Sequence, residues 1–269
     1  MTDWVEVGLL ANPEFWKTTA NGSDPRVFPP GQRRLFTKLL LARQRSPLKR
    51  VPMRTLVRPV LAVWLADNTV VGTRQAKRAW STHAKAVGVS TAARRKENAR
   101  RFVERIAHPS ASYQALRTAM MRLEESERTR QPDWGKVEAA VAAVASPWPA
   151  LPGVPRIERG LGAAWAPVTT AQLLALRRVT FDVTRKLAAE TIREEVLHAA
   201  REVHRTHWAD YNRSMRPVLH AAPATRPLAE RPETVEGQII EELDAFVDTL
   251  GGEMGLLGPA LRDAARRRA

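Results

Sequence analysis

The chain has no cysteine among its 269 residues. This excludes a disulfide framework, a thiolate metal site and a cysteine nucleophile. Long hydrophobic runs are missing as well. The run Val60 to Ala66 is far too short to cross a bilayer, so no membrane partner is expected. Met1 to Leu10 lacks the basic stretch and apolar run of a secretory signal, and the protein is expected in the cytoplasm. Nucleotide-cradling and hydrolytic signatures are absent too: no P-loop, no G-x-G-x-x-G, no H-E-x-x-H and no G-x-S-x-G. No enzyme and no cofactor is therefore expected. Aromatics make up only 6% of residues, and no RNP-like strand motif accompanies them. A base-stacking platform for single strands is thinly supported.

The most informative shortage is of acids. Residues 26 to 105 hold 20 Lys and Arg against Asp67, Glu97 and Glu104 alone, a net +17. The whole chain is +15, so everything outside the block sums to −2. Arg outnumbers Lys 35 to 8, a bias that coding-sequence base composition can produce. It does not explain why acids vanish from one block and return afterwards. A solvated face normally mixes both signs. A concentrated positive field attracts polyanions and releases their condensed counterions, so nucleic acid is the expected partner, DNA before RNA.

The composition, 44% apolar and 26% charged, suits a folded core. The turn-like run Asn21 to Pro25 includes a glycosylation sequon, read as a turn. Helical spacing then predicts a helix over Gln32–Arg45, with Leu35, Phe36, Leu39 and Leu40 recurring. The apolar stretch Val60 to Leu65 is read as helix. A third helix spans about Thr73 to Val87. Ala76, Trp80, Ala84 and Val87 form its apolar stripe, and Arg74, Lys77, Arg78 and Lys85 its cationic one. A fourth runs from about Thr91 to Ala107, with Ala92, Ala99, Phe102, Val103 and Ile106 opposite Arg94, Arg101 and Arg105. Further helices are predicted over about Ser112 to Arg128, with the stripe Tyr113, Leu116, Met120 and Leu123, and over Lys136 to Ala145. A long helix from Thr169 or Thr170 reaches toward Met215, and an acidic amphipathic helix covers Thr234 to Leu250. Trp64 and Trp80 lie on apolar stretches and are read as core. No convincing strand pair is found.

The fold class is thus mostly α. Residues 1–145 form a basic, helical, nucleic-acid-binding region, 146–168 a Pro/Gly-rich linker, and 169–269 a helical region for packing or self-association. These carboxy-terminal helices are the candidate homo-oligomer contact.

Within the basic block, Ala84, Gly88 and Val89 occupy the spacing of a helix-turn-helix. The run Ala84 to Ala92 resembles the corresponding stretch of LacI-type repressors over about nine residues. Such motifs carry apolar residues where this chain has Arg94 and Glu97, so the resemblance implies a helix-turn-helix-like pair rather than membership. The residues expected to hold phosphates are Arg33, Arg34, Arg74, Lys77, Arg78, Lys85, Arg94, Arg101 and Arg105. A role as a regulator or as a replication or maintenance factor would follow. The alternative is a structural or interaction protein whose basic block meets an acidic protein surface in an oligomer or assembly. Glu195-Val196-Leu197-His198 matches the E-x-x-H of di-iron bundles, but no second copy exists, so it is read as an exposed face and no metal is expected. The acidic helix has two readings, a core element or a regulator that competes with polyanions for the basic block.

Overall fold

The computed structural model describes residues 2–15, 26–45, 52–88, 92–129, 131–148, 161–163, 166–222 and 226–266. The expected turn at Asn21 to Pro25, the turn at Val89 to Thr91 and most of the Pro-rich linker lie outside them. In chain order the helices are α1 (Thr2–Glu6), α2 (Gln32–Arg45), α3 (Met53–Ala66), α4 (Thr73–Gly88), α5 (Ala92–Ile106), α6 (Tyr113–Arg128) and α7 (Trp134–Ala145). They continue with α8 (Thr170–Ala188), α9 (Glu194–Asp210), a π-helical turn (Tyr211–Met215), α10 (Arg216–Ala221), α11 (Arg226–Ala229), α12 (Val235–Glu253) and α13 (Leu257–Arg266). The protein is mostly helical, as expected. Two minimal antiparallel pairs were not foreseen: β1 (Glu14–Phe15) with β2 (Arg26–Val27), and β3 (Leu161–Ala163) with β4 (Ala166–Val168). The second pair falls inside the stretch read as linker. Strands of two or three residues are too short to show a period of two.

The chain divides into two compact units that interleave along the sequence. The first comprises Met1–Val87, Asp182–Arg213 and Arg231–Glu253, and the second Gly88–Phe181, Ser214–Glu230 and Met254–Ala269. The sequence reading drew its divisions consecutively instead, at 1–145, 146–168 and 169–269. Hydrophobic period reports which face of a helix is buried and is silent on which distant helix buries it.

The first unit is built around α3, α9 and α12, which pack on one another, with α2 against α3. Its centre is aromatic. Phe246 of α12 meets Trp64 of α3 edge-on at 5.5 Å between centroids and stacks on Trp80 of α4 at 4.9 Å. All three side chains are fully buried, together with Leu61, Leu65, Leu197 and Leu243. Trp64 and Trp80 are therefore core residues, as read from their stripes. Val87 departs from the predicted stripe and is exposed, since it sits in the last turn of α4. The apolar side of α12 is used here, inside the chain's own fold.

Two buried glutamines of this unit are tied into one network. The Ala11 N–H donates to Gln32 Oε1 at 2.9 Å, and Gln32 Nε2 donates to Val70 O and to Gln75 Oε1. Gln75 Nε2 in turn donates to Leu9 O. Both glutamines are 2% exposed. This amide relay joins the first turns of α2 and α4 to the loop after α1 and leaves no donor of either side chain stranded. Gly8, in that loop, has φ +82°, and a Cβ there would lie 2.3 Å from the backbone nitrogen of Ala79. Arg201, 1% exposed, donates from Nε to Trp64 O at 2.6 Å and pairs with Glu202.

The second unit is a three-helix cluster of α5, α6 and α7, joined by the first part of α8. Ala99, Val103, Ile106, Leu123, Val141 and Leu174 are among its buried residues. Of the predicted α6 stripe, Leu123 is buried and Leu116 and Met120 pack against the same cluster, while Tyr113 in the first turn departs from it. Tyr113 is 78% exposed, while Ala119 and Leu123 are buried. Ser112 caps α6 by accepting the Ala115 N–H, and Asp133 caps α7 by accepting the Lys136 N–H.

The long helix expected toward Met215 is broken between α8 and α9. Glu190 takes φ +58°, its N–H bonds to Leu187 O, and the Thr191 N–H bonds to Lys186 O. These two bonds make the Schellman ending of a helix, in which glycine usually fills the left-handed position. With glutamate in that position, the sequence carries no stop signal.

Two outcomes follow from this packing. Phe246→Ala opens a cavity between two tryptophans and lowers stability by about 3–5 kcal/mol, readable as a drop in the urea midpoint. Gly8→Ala cannot fit against the α4 backbone without moving α1 and its loop, and it lowers the thermal midpoint more than Gly252→Ala, whose Cβ meets nothing within 4 Å.

Candidate nucleic-acid interface

Neither α2 nor α4 contains an acid. Each first turn therefore adds its partial positive charge to that of the side chains, with no carboxylate of its own helix to offset it. Arg33 and Arg34 are exposed on the first turn of α2. Arg74 is exposed on the first turn of α4, one residue from the Gln75 that bonds Gln32. The amide relay thus brings three of the expected phosphate-holding residues onto two joined helix starts. Lys77 and Arg78 are half-buried further along α4, and Lys85 is exposed at 60%. The spacing places Arg74, Lys77, Arg78 and Lys85 on one side of α4, opposite buried Ala76, Trp80 and Ala84.

This face is not free of carboxylates. Lys85 Nζ lies 3.4 Å from Glu190 Oε1, and that same oxygen accepts the Ser81 hydroxyl at 2.9 Å. The Arg78 guanidinium has its pKa lowered chiefly by burial and then by Arg74, while Glu190 and Glu194 act the other way. Arg58 of α3 pairs with Glu236 of α12 at 2.7 Å. The carboxylates come from segments far along the chain that the first unit recruits.

The second unit carries the remaining expected residues on α5. Arg105 is exposed, and Arg101 is 74% exposed while donating to Glu97 at 2.7 Å. Arg100 bridges Glu97 and Glu104. Hydrogen bonds from Arg100 and Arg101 hold the Glu97 carboxyl down at about 2. The two acids of α5 are thus engaged by its own arginines, leaving Lys96 and Arg105 among its exposed cations. The side chain of Arg94 lies outside the described residues. α4 and α5 fall in different units, and the turn between them is not described, so the helix-turn-helix-like reading gains no geometry.

Sequence reasoning did not single out Ser81, Glu190, Gln32 or Gln75. By helical spacing Ser81 falls among Arg74, Arg78 and Lys85 yet is buried, and Gln75 is buried beside Arg74, and the sequence alone did not identify the partners that bury them. In the E-x-x-H segment, Glu195 and His198 are exposed on α9. Among the described residues no group of three or more His, Asp or Glu is placed to hold a metal ion, and no helix is long and apolar enough to cross a membrane. Comparison with known proteins finds no protein family, no curated protein and no solved structure that matches the chain.

Two imidazoles are buried in the first unit. His83, on the buried side of α4, is held down at about 4 by burial and then by the Arg58 charge. His204 of α9 stacks on Trp208 and is held at about 4 by burial and then by His207. Its Nε2 is 4.0 Å from Glu242, whose carboxyl is raised by burial, so the two are not a charged pair near neutrality. An unfolded histidine takes up its proton near pH 6.5, which the folded forms refuse until about 4. Stability from both is complete above about pH 6.5 and falls as the pH drops toward 4, by about 1.4 kcal/mol per unit of difference. Glu242, raised instead, contributes in the opposite sense and loses stability as the pH rises through its shifted value. Urea midpoints are expected to decline from pH 7 to pH 5, and to decline less in His83→Gln and His204→Gln.

Proposed function

We propose that the protein binds nucleic acid, double-stranded DNA in preference to RNA, in the cytoplasm. It holds backbone phosphates through Arg33, Arg34, Arg74, Lys77, Arg78 and Lys85, with Arg94, Arg101 and Arg105 as a second set. The observation that carries this reading is the pair of acid-free helices α2 and α4, whose cationic first turns are joined at Gln32 and Gln75. Guanidinium and ammonium groups spaced along a rigid helix match a repeating phosphate chain, and counterion release supplies the affinity. Contacts of this kind position a protein on its target and carry no base sequence. A regulator or a replication or maintenance factor is the role that fits.

A second reading draws on the Arg58–Glu236 and Lys85–Glu190 pairs, in which the basic block already accepts carboxylates. Under it, the protein is a structural or interaction protein that binds an acidic protein surface, with self-association through its carboxy-terminal helices.

Titration with duplex DNA and with RNA at several salt concentrations separates the two. The nucleic-acid reading expects affinity for unrelated duplex sequences to fall steeply with salt, the log–log slope losing about 0.9 for each phosphate contact removed. Arg74→Ala and Lys77→Ala weaken binding similarly on every sequence and flatten that slope by about one each. Absence of duplex and RNA binding at low salt overturns the reading.

A further inference from the structure

The turn between α8 and α9 has a feature that helix-ending geometry does not require. Glu190 is the non-glycine residue with positive φ among those described. A left-handed residue other than glycine costs about 1 kcal/mol. The bonds that end the helix, Glu190 N–H to Leu187 O and Thr191 N–H to Lys186 O, are backbone bonds that glycine would make equally well. The carboxylate is what glutamate adds at this position.

That carboxylate sits in an anion's surroundings. Ser81 is 1% exposed, and its hydroxyl faces Glu190 Oε1 at 2.9 Å and Ala188 O at 3.3 Å. One hydroxyl proton cannot serve both well, and the shorter bond to the charged oxygen is the stronger. Lys85 approaches the same oxygen at 3.4 Å. The Arg78 charge acts on Glu190 from one turn earlier on α4, and its Nε is buried without a hydrogen-bond partner among the described residues. Yet the ion pair is solvent-facing, with Lys85 60% and Glu190 47% exposed. Pairs this exposed contribute little to stability, so stability alone does not account for a glutamate in a glycine position.

We propose that Ser81, Lys85 and Arg78 form a phosphate subsite on α4, that the Glu190 carboxylate occupies it in the free protein, and that a nucleic-acid phosphate displaces that carboxylate on binding. The proposal rests on the nucleic-acid reading above and adds where one phosphate sits and what it must displace. Carboxylate and phosphate oxygens accept the same hydroxyl and ammonium donors, so one can stand in for the other. Release needs only rotation of the Glu190 side chain, because the backbone bonds of the turn do not involve it. The subsite is masked by a weak internal competitor, which discriminates against isolated small anions and yields to a phosphate delivered by a chain already held at Arg74 and Lys77.

The test uses the full chain and two probes, a 20-base-pair duplex and inorganic pyrophosphate, each titrated calorimetrically at low salt. Glu190→Gly keeps the left-handed position and removes the competitor. Glu194→Gln removes an equal charge that also acts on Arg78 but does not contact Ser81 or Lys85. Glu190→Gly is expected to bind both probes roughly 1.5- to fivefold more tightly than the unaltered protein, the range an exposed ion pair spans. Glu194→Gln is expected to gain clearly less. Adding Ser81→Ala to Glu190→Gly should remove the gain. If the unaltered protein binds duplex but Glu190→Gly matches it, or Glu194→Gln gains as much, the subsite is wrong and the nucleic-acid reading stands. If pyrophosphate binding rises in Glu190→Gly while no form binds duplex or RNA, the anion subsite stands and the nucleic-acid reading falls. If no form binds either probe, both fall.

Discussion

Phe246 is the residue on which the first unit depends. It reaches from the acidic helix α12 into the space between Trp64 and Trp80, both of which belong to the basic block. A ring in that position excludes water from two indoles at once, and aromatic contacts of this kind add to the area they bury. The segment carrying the acids is thereby fixed to the segment carrying the bases. Glu236 reaches Arg58 because the rings beneath have already set the register. Of the two readings of the acidic helix, the core role is the one its packing satisfies, and removing it would expose the tryptophans rather than merely unmask the cations.

The cations divide by the company they keep. On α5, Glu97 and Glu104 are tied up by Arg100 and Arg101 within the same helix, a local ladder of the i,i+3 and i,i+4 kind. On α4, no acid of its own helix is available, and what opposes the charge arrives from the α8–α9 turn and the start of α9. Ladders of the first kind travel with the helix wherever it packs. Contacts of the second kind exist only in the folded unit, and their exposure to solvent keeps them weak.

Much of this was legible in order of residues. The ranges of α2, α4, α5 and α6 follow from apolar spacing, and Trp64 and Trp80 were placed inside by the stripes they sit on. α3 was legible only over its second half. Pro52 and Pro59 obscured its start, although Pro59 lies within the helix. The break between α8 and α9 was invisible because its stop residue is a glutamate. The cationic side of α4 could be drawn from sequence, but its partners could not. Glu190 is 105 residues from Lys85, and no local period relates them. The same limit hid the interleaving of the two units.

That interleaving has a consequence for the order of events during synthesis. A chain emerges from the ribosome at about 5–20 residues per second, and domains that are contiguous fold as they appear. Here α3 and α4 are made early, while the ring that covers their tryptophans is the 246th residue. For much of translation the nascent amino-terminal part carries its full positive charge and an uncovered aromatic surface beside the ribosome's own polyanion. Closure of the first unit is therefore a long-range step that waits on α12, made well after α3 and α4.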